Sequence, residues 1–347
     1  VELLKTVEVN GEKFEMKDGF LDLGLLDIEN ITEITNLDQI KVKHLELSSN
    51  NITEIKGLEH HKELEILNLS SNNIEELSGL DKLENLEILH LASNQITQIS
   101  GLQNLSKLKE LYVRANQIQK LGGLENLYNL RKLDLSWNLI KEIEGVGSLE
   151  NLEVLWVAGN QLTKISGLEH LKTLSVLNLA GNAILEISGL NHLENLEELY
   201  LNDNKIRKIE NMDALKNLRT LWITSNKIRE INGLNKCTNL EVLNLKSNQI
   251  EEIKNLYSLT NLNKLFLSKN EIKEIKGLET LQNLETLDLS DNKISKITGL
   301  ESLMSLKDLW LSGNEIDQGL LDSLGGLDSS GCALDALKFV QYCLVNL

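Results

Sequence analysis

Apolar residues return to the same places in this chain every 22 positions. In one copy Leu64, Leu67 and Leu69 are followed by Ile74, Leu77, Leu80 and Leu83; in the next, the last four recur as Ile96, Ile99, Leu102 and Leu105. Side chains alternate along a strand, so the first block reads as a short strand with its leucines facing the core and the residue between the last two leucines facing out. The second block is too short for a full α-helix and predicts a short 3₁₀ or irregular segment that returns the chain along the convex side. Glycine usually opens that return, at 57, 79, 101, 123, 145, 167, 189, 233, 277 and 299, and Asn211 and Asn255 stand in at two copies. Both residue types suit a position with an unusual backbone angle.

One polar residue keeps the same beat. Asparagine occupies 50, 72, 94, 116, 138, 160, 182, 204, 226, 248, 270, 292 and 314, thirteen sites with no insertion between them. Its amide both donates and accepts hydrogen bonds. Asn50, Asn72, Asn94, Asn116, Asn138, Asn160, Asn182, Asn204, Asn226, Asn248, Asn270, Asn292 and Asn314 are therefore expected to form a structural ladder that satisfies backbone groups at the turn and in the next coil. Leu64-Glu65-Ile66-Leu67-Asn68-Leu69-Ser70-Ser71-Asn72 carries the L-x-x-L-x-L-x-x-N spacing of a leucine-rich repeat. The predicted fold is an α/β leucine-rich repeat solenoid, a curved right-handed horseshoe or arc with a parallel concave β-sheet, a β-hairpin N-cap and a helical C-cap.

A solenoid must cover its terminal coils. At the front, Asn10-Gly11 lies between Thr6-Val7-Glu8-Val9 and Glu12-Lys13-Phe14-Glu15, a strong hairpin signal. Residues 1–28, including Phe20-Leu21-Asp22-Leu23 after the Asp18-Gly19 turn, read as a small antiparallel cap, and Glu29 takes the ladder position of a degenerate first repeat. Repeats fill 29–316, and 317–347 reads as the C-cap. There Asp317 caps a short helix through about Leu324, Gly325-Gly326 ends it, and a second helix from about Ala333 places Leu334, Leu337, Val340 and Leu344 on one stripe.

Charge and composition narrow the function. The formal net charge is −17, from 35 Lys+Arg against 52 Asp+Glu, which repels phosphate backbones and argues against nucleic acid as a partner. No run of 18 apolar residues is present, and the start Val1-Glu2-Leu3-Leu4-Lys5 lacks the design of a signal peptide. Cys237, Cys332 and Cys343 are widely placed, fitting reduced thiols in a cytoplasmic protein, although Cys332 and Cys343 could meet in the C-cap. Proline is absent, where average usage of about 5% would give roughly 17. With the uninterrupted register, this points either to an idealised, reconstructed or engineered sequence or to a natural array under composition bias. There is no phosphate loop, nucleophile elbow or paired-cysteine metal motif. No catalytic residue, metal or cofactor is assigned.

The repeats, typified by Leu133-Asp134-Leu135-Ser136-Trp137-Asn138-Leu139-Ile140, resemble the 22-residue class found in a regulatory subunit of protein phosphatase 1 and in bacterial internalins. The resemblance covers roughly residues 29–316. The end segments Val9-Asn10-Gly11-Glu12-Lys13-Phe14, Leu321-Asp322-Ser323-Leu324-Gly325-Gly326-Leu327 and Lys338-Phe339-Val340-Gln341-Tyr342-Cys343 resemble the flanks of archaeal proteins of this class, where a proline would precede Lys338. The phosphatase-regulator resemblance implies aromatic and acidic contacts on the concave face. Asp134 and Trp156 match that type, whereas Asn178 is neutral and Phe266 and Asp288 invert the implied acid and aromatic.

Function is expected at the outward strand position. It reads Glu46, Asn68, His90, Tyr112, Asp134, Trp156, Asn178, Tyr200, Trp222, Asn244, Phe266, Asp288 and Trp310. Six of the chain's 13 aromatic residues fall there, where random placement would put about half a residue. Exposed aromatic patches mark interaction surfaces, and Tyr and Trp are favoured anchors. Tyr112, Asp134, Trp156, Tyr200, Trp222, Phe266, Asp288 and Trp310 are the candidate partner-binding residues of a monomeric, non-catalytic scaffold for a protein or peptide. Against this stand three other readings: rings that only stack on one another, an idealised solenoid without a partner, and a phosphatase regulatory subunit.

Overall fold

A computed structural model describes residues 5–346. Val1–Leu4, the start read above for a signal peptide, lie outside the described residues. Contacts divide the chain into two compact units, one running to Leu162 with Ser166–Leu174, the other comprising Thr163–Ile165 and the remainder from Ser175.

The first unit opens with a hairpin of β1 (Thr6–Val9) and β2 (Glu12–Glu15), paired antiparallel. Asn10 and Gly11 both take positive φ, 51° and 82°, as a two-residue turn between twisted strands requires. The strands that follow are three residues each: β3 (Phe20–Asp22), β4 (His44–Glu46), β5 (Ile66–Asn68), β6 (Ile88–His90), β7 (Glu110–Tyr112), β8 (Lys132–Asp134) and β9 (Val154–Trp156). Neighbours pair in parallel in chain order, and from β4 on each register step is 22 residues, as in Leu45↔Leu67 and Leu67↔Leu89.

Two expectations for this end need correction. Phe20–Asp22 pairs parallel with β4 and so begins the parallel sheet rather than belonging to an antiparallel cap. Glu29 is exposed and takes no ladder position. The first coil spans 24 residues at the strand, Leu21↔Leu45, and the surplus displaces Glu29. Asn50 is held instead by the amides of Leu26 and Ile28, each 3.0 Å from its Oδ1.

The second unit repeats the plan with β10 (Val176–Asn178), β11 (Glu198–Tyr200), β12 (Thr220–Trp222), β13 (Val242–Asn244), β14 (Lys264–Phe266), β15 (Thr286–Asp288) and β16 (Asp308–Trp310), all parallel. In both units the middle strand leucines, such as Leu111 and Leu221, are fully buried. The returns are mostly successive turns rather than helices: Leu83 N donates to Leu80 O and Leu86 N to Leu83 O, each at 3.0 Å. Among the described residues only the first coil forms 3₁₀ helix, at Ile31–Glu33 and Leu37–Gln39.

The asparagine ladder is present as hydrogen bonds. Asn72 Nδ2 donates to Leu47 O of the preceding coil and to Leu69 O of its own, both at 3.0 Å, while its Oδ1 accepts from Ile52 N. Eleven of the thirteen amides are buried; Asn182 and Asn314 are half-buried. The residue before each ladder asparagine turns left-handed, as at Ser71 (φ 57°) and Trp137 (φ 57°). That demand was not apparent from the sequence, because the position accepts Ser, Gly, Ala, Asp, Lys and Trp.

At the C-terminal end, α1 (Gln318–Ser323) is capped by Asp317, whose Oδ1 accepts from Leu320 N at 2.9 Å. The edge of β16 is then covered by backbone: Leu311 N donates to Gly331 O and Ala333 N to Leu309 O. α2 (Ala336–Val345) follows. Its expected stripe is corrected. The buried face is Ala336, Phe339, Val340 and Cys343, whereas Leu334 lies before the helix and, like Leu337 and Leu344, is exposed. Helix start decides this: beginning at Ala336, the three- and four-residue spacing turns the bulky Phe339 inward. Cys237, Cys332 and Cys343 are free thiols. No helix among the described residues is long and apolar enough to cross a membrane.

Candidate functional site

The outward strand positions form a column on the open face of each unit's sheet. In the first unit Tyr112, Asp134 and Trp156 stand on three successive strands, β7 to β9. The Tyr112 and Trp156 rings lean together across Asp134, with centroids 6.5 Å apart. His90, on β6, stacks on Tyr112 at 4.6 Å and 5°. In the second unit Tyr200 and Trp222 are direct cross-strand partners, their rings 6.0 Å apart at 62°. That edge-to-face geometry suits the quadrupoles of two rings. Phe266, Asp288 and Trp310 follow on β14 to β16, half-buried, beyond Asn244, which is buried. Trp222 is the most open of the column's aromatics, 39% exposed.

Glutamates two residues back fix the tyrosines. Tyr112 Oη donates to Glu110 Oε2 and Tyr200 Oη to Glu198 Oε2, both at 2.6 Å. Residues i and i+2 share one face of a strand, so the repeated Glu-Leu-Tyr tripeptide was the sequence signal for this pair. Burial and the adjacent carboxylate push the Tyr200 hydroxyl up to about 12, and the same causes raise Tyr112. Burial works against ionisation of Glu110, but the Tyr112 hydroxyl and the Lys132 ammonium, 3.0 Å away, hold its carboxyl below the usual range. Burial also lowers His90, opposed by Glu110 and Glu46. At neutral pH the phenols thus stay protonated and donate to the carboxylates, which fixes their rings.

The acidic members have a second duty. Asp134 Oδ1 accepts from Ser136 N at 2.9 Å, and Asp288 Oδ1 accepts from Ser290 N and Ser290 Oγ at 3.0 and 2.6 Å. Glu46, Asn68, Asn178 and Asn244 close the same local turn through their side chains. The acidic and amide residues of the column therefore cap their strand ends, and rings stand at the other positions. At Trp222 the next-but-one amide, Thr224 N, bonds instead to Asn202 Oδ1.

Other titratable groups lie elsewhere. His60, His170 and His192 are exposed on the return segments. His61 is buried where Leu83 and Leu105 stand in later coils, and neither ring nitrogen has a hydrogen-bond partner. Among the described residues no group of three or more His, Cys, Asp or Glu could hold a metal ion.

A family model described as leucine-rich repeats in two copies matches residues 40–82, 84–126, 128–170 and 172–215, then overlapping pairs to 327. The chain is a leucine-rich repeat protein. An internalin of Listeria monocytogenes is 31% identical, with 84% of this repeat protein and 86% of that chain covered and a TM-score of 0.76. A leucine-rich repeat protein of Leptospira interrogans is 25% identical, with 88% and 92% covered and a TM-score of 0.70. The leucine-rich repeat ectodomain of an Arabidopsis thaliana receptor kinase, solved with Casparian strip integrity factor 2, shares the fold at 24% identity, with 84% and 41% covered and a TM-score of 0.61. No match was found among curated proteins.

Proposed function

We propose that this leucine-rich repeat protein is a non-catalytic scaffold that binds a protein or peptide on the open face of its sheet, through the aromatic and acidic column. The observation that carries this reading is the Tyr200–Trp222 pair. One ring is tethered through its hydroxyl to Glu198, and the other is 39% exposed on the open face of the sheet. A preformed surface of this kind loses little conformational freedom on association. Aromatic rings bury much area with few rotatable bonds.

The rival, that the rings serve only one another, is favoured by the tight His90–Tyr112 stack in the first unit. Trp222 therefore provides the sharper test. A proximity-labelling screen with the whole chain would supply a partner, and its affinity would be measured for wild type, Trp222→Ala and the convex control Glu252→Ala. Loss of about 2 kcal/mol or more is expected for Trp222→Ala alone. Wild-type affinity in Trp222→Ala, or loss confined to Glu252→Ala, would put recognition elsewhere.

A further inference from the structure

The second unit holds a groove of about 1030 Å³ on two adjacent coils, away from the aromatic column. Lys205-Ile206-Arg207 and Lys227-Ile228-Arg229 place the same Lys-x-Arg triplet at the same register 22 residues apart. Arg207, Lys208, Lys227 and Arg229 line the groove. Among the described residues none of these four cations, nor Lys205, forms an ion pair within 4.0 Å. Some cations elsewhere on this acidic chain are neutralised. Arg219 pairs with Glu241 and Arg131 with Glu153, while Lys254 and Lys276 share Glu252.

Three carboxylates also line the groove, Glu210, Asp213 and Glu230. Glu230 is engaged by Lys254 at 3.7 Å and by Asn232 at 3.0 Å. Glu210 and Asp213 come three and six residues after Arg207, where the chain turns into the return segment. Arg229 Nε donates to Gln249 Oε1 at 3.3 Å, and its remaining guanidinium nitrogens, with Arg207, Lys208 and Lys227, carry no carboxylate partner within 4.0 Å among the described residues.

We propose that this groove is an anion site that takes a compact phosphate group, a phosphate monoester or pyrophosphate, on Arg207, Lys227 and Arg229. Guanidinium groups match phosphate oxygens in pairs, which lysine-only patches do not. The three lining carboxylates and a net charge of −17 disfavour a long polyanion, whose remaining charges would lie against an acidic surface. A small dianion can contact the guanidinium groups without extending over that surface.

Calorimetric titration of the full chain with pyrophosphate at low ionic strength tests this, alongside an Asp/Glu-rich peptide of equal charge. Saturable binding is expected with pyrophosphate, weakening as salt rises. The Arg207→Gln/Arg229→Gln variant should lose about tenfold or more in affinity with an unchanged melting curve, since both side chains are exposed. Lys41→Gln, which removes a cation already paired with Glu63 at 3.0 Å, should bind like wild type. No saturable binding would overturn the proposal, as would equal loss in Lys41→Gln or binding of the peptide but not of pyrophosphate.

Discussion

Single residues set the geometry of each coil, and the return glycine shows how. A Cβ on Gly79, whose φ is 87°, would lie 1.7 Å from Ile55 O of the preceding coil. Asn211 and Asn255 hold the same left-handed angle, 57° and 61°, and their Nδ2 atoms donate to Ile187 O and Ile231 O at 2.7 and 2.9 Å. These are the carbonyls equivalent to Ile55 O, so asparagine converts an obstructing oxygen into a partner. Gly79→Ala should therefore destabilise by about 1–3 kcal/mol through strain, and Gly79→Asn should cost less, as read from denaturant midpoints. Equal losses would show that the asparagines are tolerated for another reason. His61 offers a second residue-scale test. Burial lowers its pKa below the usual 6.5, His60 lowers it further, and Asp38 and Glu59 only partly oppose this. Because the folded state resists protonation, stability is full above the unfolded value and falls as pH drops below about 6.5 toward the folded value. His61→Leu, which restores the residue of later coils, should raise the melting temperature at neutral pH by relieving two unpaired nitrogens, worth about 1–3 kcal/mol. The gain should widen between pH 7 and 5, and a constant gain would show that the ring is not titrating there.

At the scale of elements, the coils and the ends obey different rules. Within the coils each three-residue strand is too short to persist alone and is held by neighbours on both sides. Their register was legible because a fixed period admits no slip without turning every leucine outward. The ends carry no period. β16 would be an open edge, and such an edge recruits other strands; here Gly331–Ala333 pairs along it, and α2 follows with Phe339 buried. Deletion of residues 317–347 should thus cause self-association, seen by light scattering, beyond any loss of melting temperature. A truncated chain that stays monodisperse would show that the segment does not guard the edge. The spacing of Leu334, Leu337, Val340 and Leu344 suggested the wrong face for α2, because an amphipathic pattern can be read in more than one phase when the helix start is unknown.

On the scale of the whole molecule, repetition is what made the sequence informative. The 22-residue step fixed the strand leucines, the asparagine ladder, the left-handed return position and the outward column, since each coil meets a near-copy of itself and local pattern and packing environment coincide. Charge did not locate function in the same way. Exposed pairs such as Lys43–Glu65 and Lys109–Glu87 run between coils and contribute little each, so the net charge mainly sets which partners are repelled. Non-repeating features needed the tertiary structure: Phe20–Asp22 entering the parallel sheet, Phe339 buried on α2, His61 filling a leucine site, and Arg207 and Arg229 left without ion pairs within 4.0 Å among the described residues. The sequence by itself determined what every coil must do alike, because the same backbone demand recurs thirteen times. Only the tertiary structure decided where coils differ, because partners at those places lie 22 or more residues away and are chosen by packing rather than by period.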